Sequence, residues 1–218
     1  MAYRASELTR ERLILAAEGL FATRGIRSVS AREIVKAANM RYNCSVTYHF
    51  ESMDGLIRSI VRYRVIQLEK IRSGMIRSDG IDRASDVTFW MECLLLPHLQ
   101  VRSEDGFHAY ASLLCQYLPL HYPKGFPWRR QDPDDFMPAF DEILFALRTC
   151  ISHLPSDIFD RRLTNASLLF LNVLVGLSRD DSLESLGREH PLIRDAIRQS
   201  VAVLLASWDP SNAPAHST

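Results

Sequence analysis

The chain has no apolar run near the ~18 residues a membrane-spanning helix needs. Its longest, 168–175, is broken by Asn172. Arg4, Glu7, Arg10, Glu11 and Arg12 precede the first apolar cluster. That order does not fit a secretory leader, so a cytoplasmic protein is expected. Cysteine is scarce: Cys44, Cys93, Cys115 and Cys150 contain no C-x-x-C pair. They read as small buried apolar residues, not metal ligands or disulfide partners. Cys44 stands apart because it falls in a polar segment, where redox sensing is a further idea. Also missing are a glycine-rich phosphate loop, G-x-S-x-G and H-E-x-x-H. His98, His108, His121 and His153 offer no pair at i, i+4 spacing. Catalytic residues, a cofactor and a metal are therefore not expected. Strand-like alternation, internal repeats and low-complexity tracts are likewise missing.

The chain also lacks net charge, but that zero conceals an asymmetry. Residues 1–77 hold 14 Lys+Arg against 7 Asp+Glu, and residues 78–218 hold 12 against 19. A basic head on an acidic body suits a polyanion-binding head.

What is present reads as helix almost throughout. Leu13, Ala17, Leu20 and Phe21 recur at helical spacing within 7–24, and Gly25 follows as a stop. Ser30-Ala-Arg-Glu33 has the S-x-x-E form of a capping box, opening a short helix to about residue 38. Asn39 suits the left-handed turn that follows. A third short helix is expected over 42–49, and Ser52 can cap a long fourth one reaching 78–80. Further helices are expected at 84–101, 106–117, 135–154, 156–178 and 191–207. Pro119, Pro123, Gly125, Pro127 and Pro133 mark 119–133 as a long loop. The polar tail 209–218 is expected to be disordered.

Three short helices with tight turns and a basic balance fit a helix-turn-helix, whose third helix enters the major groove. Phe21, Ile34, Val46 and Phe50 are its expected core. Arg41, Tyr42, Asn43 and Ser45 are expected to face the groove, since Arg suits guanine edges and Asn adenine edges. Thr47 is a further hydrogen-bonding group on that helix. Ser30 and Arg32, at the start of the second helix, are candidates for phosphate contact; the plainer roles are a cap and a solvated charge. Tyr48 and His49 are expected to hold the DNA backbone, with packing against the first helix as the alternative for Tyr48.

Residues 12–25, RLILAAEGLFATRG, resemble the opening of the TetR family of helix-turn-helix regulators. Residues 30–38, SAREIVKAA, resemble its second helix, and 45–50, SVTYHF, the end of its third. The three motifs occur in order over about 9–60. The sequence departs from the family pattern at Asn39 and Glu51, where glycine is usual. It also departs at Met53, where lysine is usual, and at Thr47, near which an aromatic is common. The resemblance implies an all-α fold: a DNA-binding domain over 1–55 and a ligand-binding and dimerisation domain over 56–208. It implies a homodimer on a double-stranded operator, with the last two long helices of each subunit forming a four-helix bundle. Leu163, Ala166, Phe170, Val173 and Leu177 recur at helical spacing in one of these, and Ile193, Ile197, Val201 and Leu204 in the other. A structural core would give the same pattern.

Of the 20 aromatic residues, 11 fall between Phe89 and Phe145. The concentration points to a pocket for an apolar or amphipathic effector. Its candidate walls are Phe89, Trp90, Phe107, Tyr110, Tyr117, Phe126, Trp128, Phe136 and Phe140. The expected function is a repressor released from an inverted-repeat operator by that effector. The rival is a protein of the same fold that has lost DNA binding and acts by interaction alone.

Overall fold

The structure is a computed structural model. It describes residues 2–40, 45–79, 82–103, 105–125, 137–179 and 187–209. Among them every regular element is helical. The expected groove residues Arg41, Tyr42 and Asn43, the pocket residues Phe126, Trp128 and Phe136, and the tail beyond Asp209 lie outside the described residues. Cys44 does too.

Helix α1 (Ala2–Arg24) buries Leu13, Ile14, Ala17 and Phe21 on one stripe. It ends where Gly25 turns to φ 93 and returns its N–H to the Phe21 carbonyl. A 3-10 turn over Ile26–Ser28 leads to α2 (Ala31–Ala37). The capping box forms as expected: the Ser30 hydroxyl accepts from the Glu33 N–H, and the Glu33 carboxylate accepts from the Ser30 N–H. Asn39 takes the left-handed turn, at φ 58. The third helix, α3 (Ser45–Phe50), is one and a half turns long. Such a helix is not stable alone, so tertiary contacts must hold it.

Helix α4 (Met53–Asp79) begins where the Ser52 hydroxyl accepts from the Gly55 N–H. It runs from head to body, so the expected division after residue 55 falls in its first turn. The body contains α5 (Val87–Leu95), α6 (Ala109–His121), α7 (Pro138–Cys150), α8 (Ser156–Leu177) and α9 (Pro191–Leu205). Several boundaries differ from expectation. Past Leu95 the chain tightens into a 3-10 turn (Leu96–Gln100) that contains Pro97; proline cannot donate the helical hydrogen bond. Helix α6 runs through Pro119 to His121, so the loop starts later than expected. Helix α7 starts on Pro138, whose fixed φ suits a first turn, and stops at Cys150.

The expected head core is buried: Phe21, Ile34, Val46 and Phe50 all face inward. One expectation needs correction. Leu163, Ala166, Phe170, Ile193, Ile197 and Leu204, assigned to a subunit interface, are buried inside the single chain. They join α8 to α9 and their neighbours, where the Ser200 hydroxyl also donates to the Ala166 carbonyl. Helical periodicity marks a buried face but not whose surface buries it. Val173, Leu177 and Val201 remain half-buried.

Candidate nucleic-acid interface

Val46 and Phe50, four residues apart, turn one face of α3 into the head. Thr47 and Tyr48 are exposed. Tyr48 is 81% exposed, so packing against α1 is not its role. The Tyr48 and His49 rings meet edge to face at 4.9 Å. Partial burial, and next the Arg10 charge, hold the His49 pKa below its usual value. A neutral His49 can donate a hydrogen bond to phosphate but adds no charge there. Of Ser45 only the backbone is described.

On α2, Arg32 and Lys36 are exposed one turn apart, a basic strip beside α3. Ser30 is exposed, but its hydroxyl is engaged by Glu33 at 2.7 Å. The Ser30 backbone hydrogen bond, then its hydroxyl, keep the Glu33 carboxyl below the usual range. Ser30 is thus a cap before anything else. Arg24 pairs with Glu33 at 3.0 Å on the surface.

Nothing in the local sequence pattern singles out Arg10. It donates to the His49 carbonyl (3.0 Å) and to the Ser59 hydroxyl (2.9 Å), and lies 4.7 Å over the Phe50 ring. One α1 side chain thereby fixes the end of α3 against α4. Gly55 is a second unforeseen requirement. A Cβ there would lie 2.0 Å from the Phe50 carbonyl oxygen, so the α3–α4 turn can close only over glycine.

Two buried junctions tie the head to the rest of the chain. Arg64 on α4 grips Glu18 on α1 with Nε (3.0 Å) and Nη2 (2.6 Å), both side chains being nearly inaccessible. On α6, the Ser112 hydroxyl donates to the Ala22 carbonyl and the Gln116 amide to the Phe21 carbonyl. The Gln116 oxygen also accepts from the Ile26 N–H. A body helix thereby satisfies the Ala22 carbonyl left open at the end of α1 and gives the Phe21 carbonyl a second donor beside Gly25. Glu18 had a readable signal, a charge one residue from Ala17 on an apolar stripe. Gln116 had none.

The matching family is described as bacterial regulatory proteins, tetR family, and the match spans residues 13–60. Residues 13–60, the head of the chain, are thus a TetR-type helix-turn-helix. The matched segment starts within α1, takes in α2 and α3, and ends within α4. A search of the curated proteins finds no match.

In the body, Phe89, Trp90, Tyr110 and Tyr117 lie in one apolar core, with Phe140 packed against it. Phe89 and Trp90 pair edge to face at 5.0 Å at the start of α5, with Arg83 over Phe89. Tyr110 lies against His98, and Phe140 beneath Arg72. Tyr117 stacks on His121 at the end of α6. Phe107 faces Arg179 just past α8. Among the described residues no helix is long and apolar enough to cross a membrane.

Proposed function

We propose that the protein is a cytoplasmic repressor that binds an inverted-repeat operator as a homodimer and leaves it when a small amphipathic ligand enters the body. The supporting observation is the mounting of α3. Its apolar side is locked down by Val46, Phe50 and Arg10, and Thr47 and Tyr48 stand free beside the basic strip of α2. Arg41, Tyr42, Asn43 and Ser45 are proposed to read base edges, and Arg32, Tyr48 and His49 to hold the backbone. Two-fold symmetry places two such heads one helical turn of DNA apart.

With the inner faces of α8 and α9 occupied, dimerisation is assigned to their outer faces. Leu168, Leu169 and Val173 on α8 are half-buried, as is Val201 on α9, and Leu205 is exposed. Ligand release follows if the ligand prefers a body in which the two α4 helices hold the heads at another separation.

Selection from a random-sequence DNA library is the test, followed by fluorescence anisotropy on the selected site at two salt concentrations. An inverted repeat, weakened by salt and by Asn43→Ala or Tyr48→Ala, is the expected result. Failure to enrich any sequence would leave the interaction-only reading standing.

A further inference from the structure

Three buried side-chain atoms have no hydrogen-bond partner among the described residues: Arg72 Nε, His98 Nδ1 and His108 Nδ1. They come from α4, from the 3-10 turn after α5, and from the residue that opens α6. All three side chains belong to one neighbourhood. The Tyr110 ring stacks on His98 at 5.9 Å, and His98 feels the charges of both Arg72 and His108. An unpaired buried polar atom has lost its water and gained nothing in return. Three together call for a polar partner that the described residues do not supply.

The surroundings define its chemistry. Arg72 Nη2 donates to the Leu94 carbonyl at 3.2 Å, and the guanidinium lies 5.0 Å over the Phe140 ring. Its nearest carboxylate is Glu69, at 3.6 Å. Both Glu69 oxygens already accept backbone N–H groups, from Ala139 (2.9 Å) and Phe140 (3.0 Å), at the start of α7. The Arg72 charge is thus shared, and its Nε–H is open. Burial, then the Arg72 charge, push the His98 pKa down to about 3; burial pushes His108 down to about 4. Both imidazoles are neutral at pH 7 and donate or accept according to tautomer. His108 Nε2 lies 3.4 Å from the Leu99 carbonyl. One cation, two neutral imidazoles and the rings of Tyr110 and Phe140 suit an oxyanion carried on an apolar body.

We infer that Arg72, His98 and His108 form the head-group subsite for an amphipathic effector bearing a carboxylate. This rests on the ligand-responsive regulator proposed above. The carboxylate takes the Arg72 Nε–H and a ring N–H of His98, and the apolar part lies along Tyr110 and Phe140. Arg72 is on α4, the helix that enters the head. An oxyanion there competes with Leu94 and Glu69 for the guanidinium, loosening the hold of α4 on α5 and α7. Binding and a change in head position then share one side chain.

Calorimetric titration of the full chain with octanoate, decanoate, benzoate and phenylacetate, each beside its primary amide, tests the subsite. At least one acid should bind roughly tenfold or more tightly than its amide, as a charge-assisted hydrogen bond implies. Arg72→Gln should remove that preference, Arg72→Lys should keep part of it, and His98→Gln should reduce it. Circular dichroism reports whether each variant is folded; should Arg72→Gln unfold, Arg72→Lys and His98→Gln carry the comparison. The inference is overturned if no acid binds, if amides match acids, or if the preference is undiminished in the folded variants. Operator release, followed in parallel by anisotropy, separates the two readings. Neutral compounds releasing DNA while acids do not bind would sink the subsite alone. Acid binding by a chain that selects no DNA would sink the regulator alone.

Discussion

Glu51 sits at φ 65, in the left-handed region where a side chain meets the following carbonyl, at the turn that closes α3 onto α4. Its N–H still reaches the Thr47 carbonyl at 2.9 Å, so the strain maintains a needed turn. Glu51→Gly should relieve about 0.5–1 kcal/mol net of the extra backbone freedom of unfolded glycine. The thermal midpoint should rise by about 1–4 °C; a fall would show that the Glu51 side chain stabilises the turn. At His98 the consequence is pH dependence. Its folded pKa of about 3 lies below the usual 6.5, so the unfolded chain takes up the proton first. Its contribution is complete above about pH 6.5 and is lost as pH falls toward 3, at about 1.4 kcal/mol per unit. His108 acts in the same direction, down to about 4. Urea unfolding at pH 7 and pH 5 should differ by several kcal/mol, and His98→Gln should shrink the difference by about 2 kcal/mol. A pH-independent midpoint would mean that these imidazoles protonate freely in the folded chain.

At the scale of elements, α3 depends on its neighbours. Six residues form no stable helix, so Arg10 matters by fixing where α3 ends. Arg10→Ala should weaken binding to the selected operator roughly tenfold, for lost hydrogen bonds made by a charged group. It should weaken binding to scrambled DNA much less. Equal loss on both DNAs would instead make Arg10 a phosphate contact. The helices themselves were legible, because capping signals and apolar spacing act within one element. Ser30, Gly25 and Ser52 all act as their residue types suggest. Arg10 was not legible, because its partners His49 and Ser59 lie 39 and 49 residues away.

Across the whole molecule, head and body meet through Glu18–Arg64 and through Ser112 and Gln116 on the end of α1. Removing one member of a buried ion pair strands the other charge. Glu18→Gln should therefore cost about 3 kcal/mol and lower the melting temperature by roughly 10 °C. Replacing both, as Glu18→Leu with Arg64→Met, should recover most of that. A double variant no better than the single one would show that the pair fixes α1 against α4 in a way packing cannot replace.

The sequence alone determined the helical class, the order of the head helices, the capping of α2 and α4, and the family of the head. Each of these depends on residue type and short spacing. Tertiary structure decided which apolar faces were already taken. Leu163, Phe170, Ile193 and Leu204 carry the period of an interface but lie inside the chain. Tertiary structure also gathered Arg72, His98 and His108 from three elements. Helical period reports that a face is covered; only the packed chain shows by what.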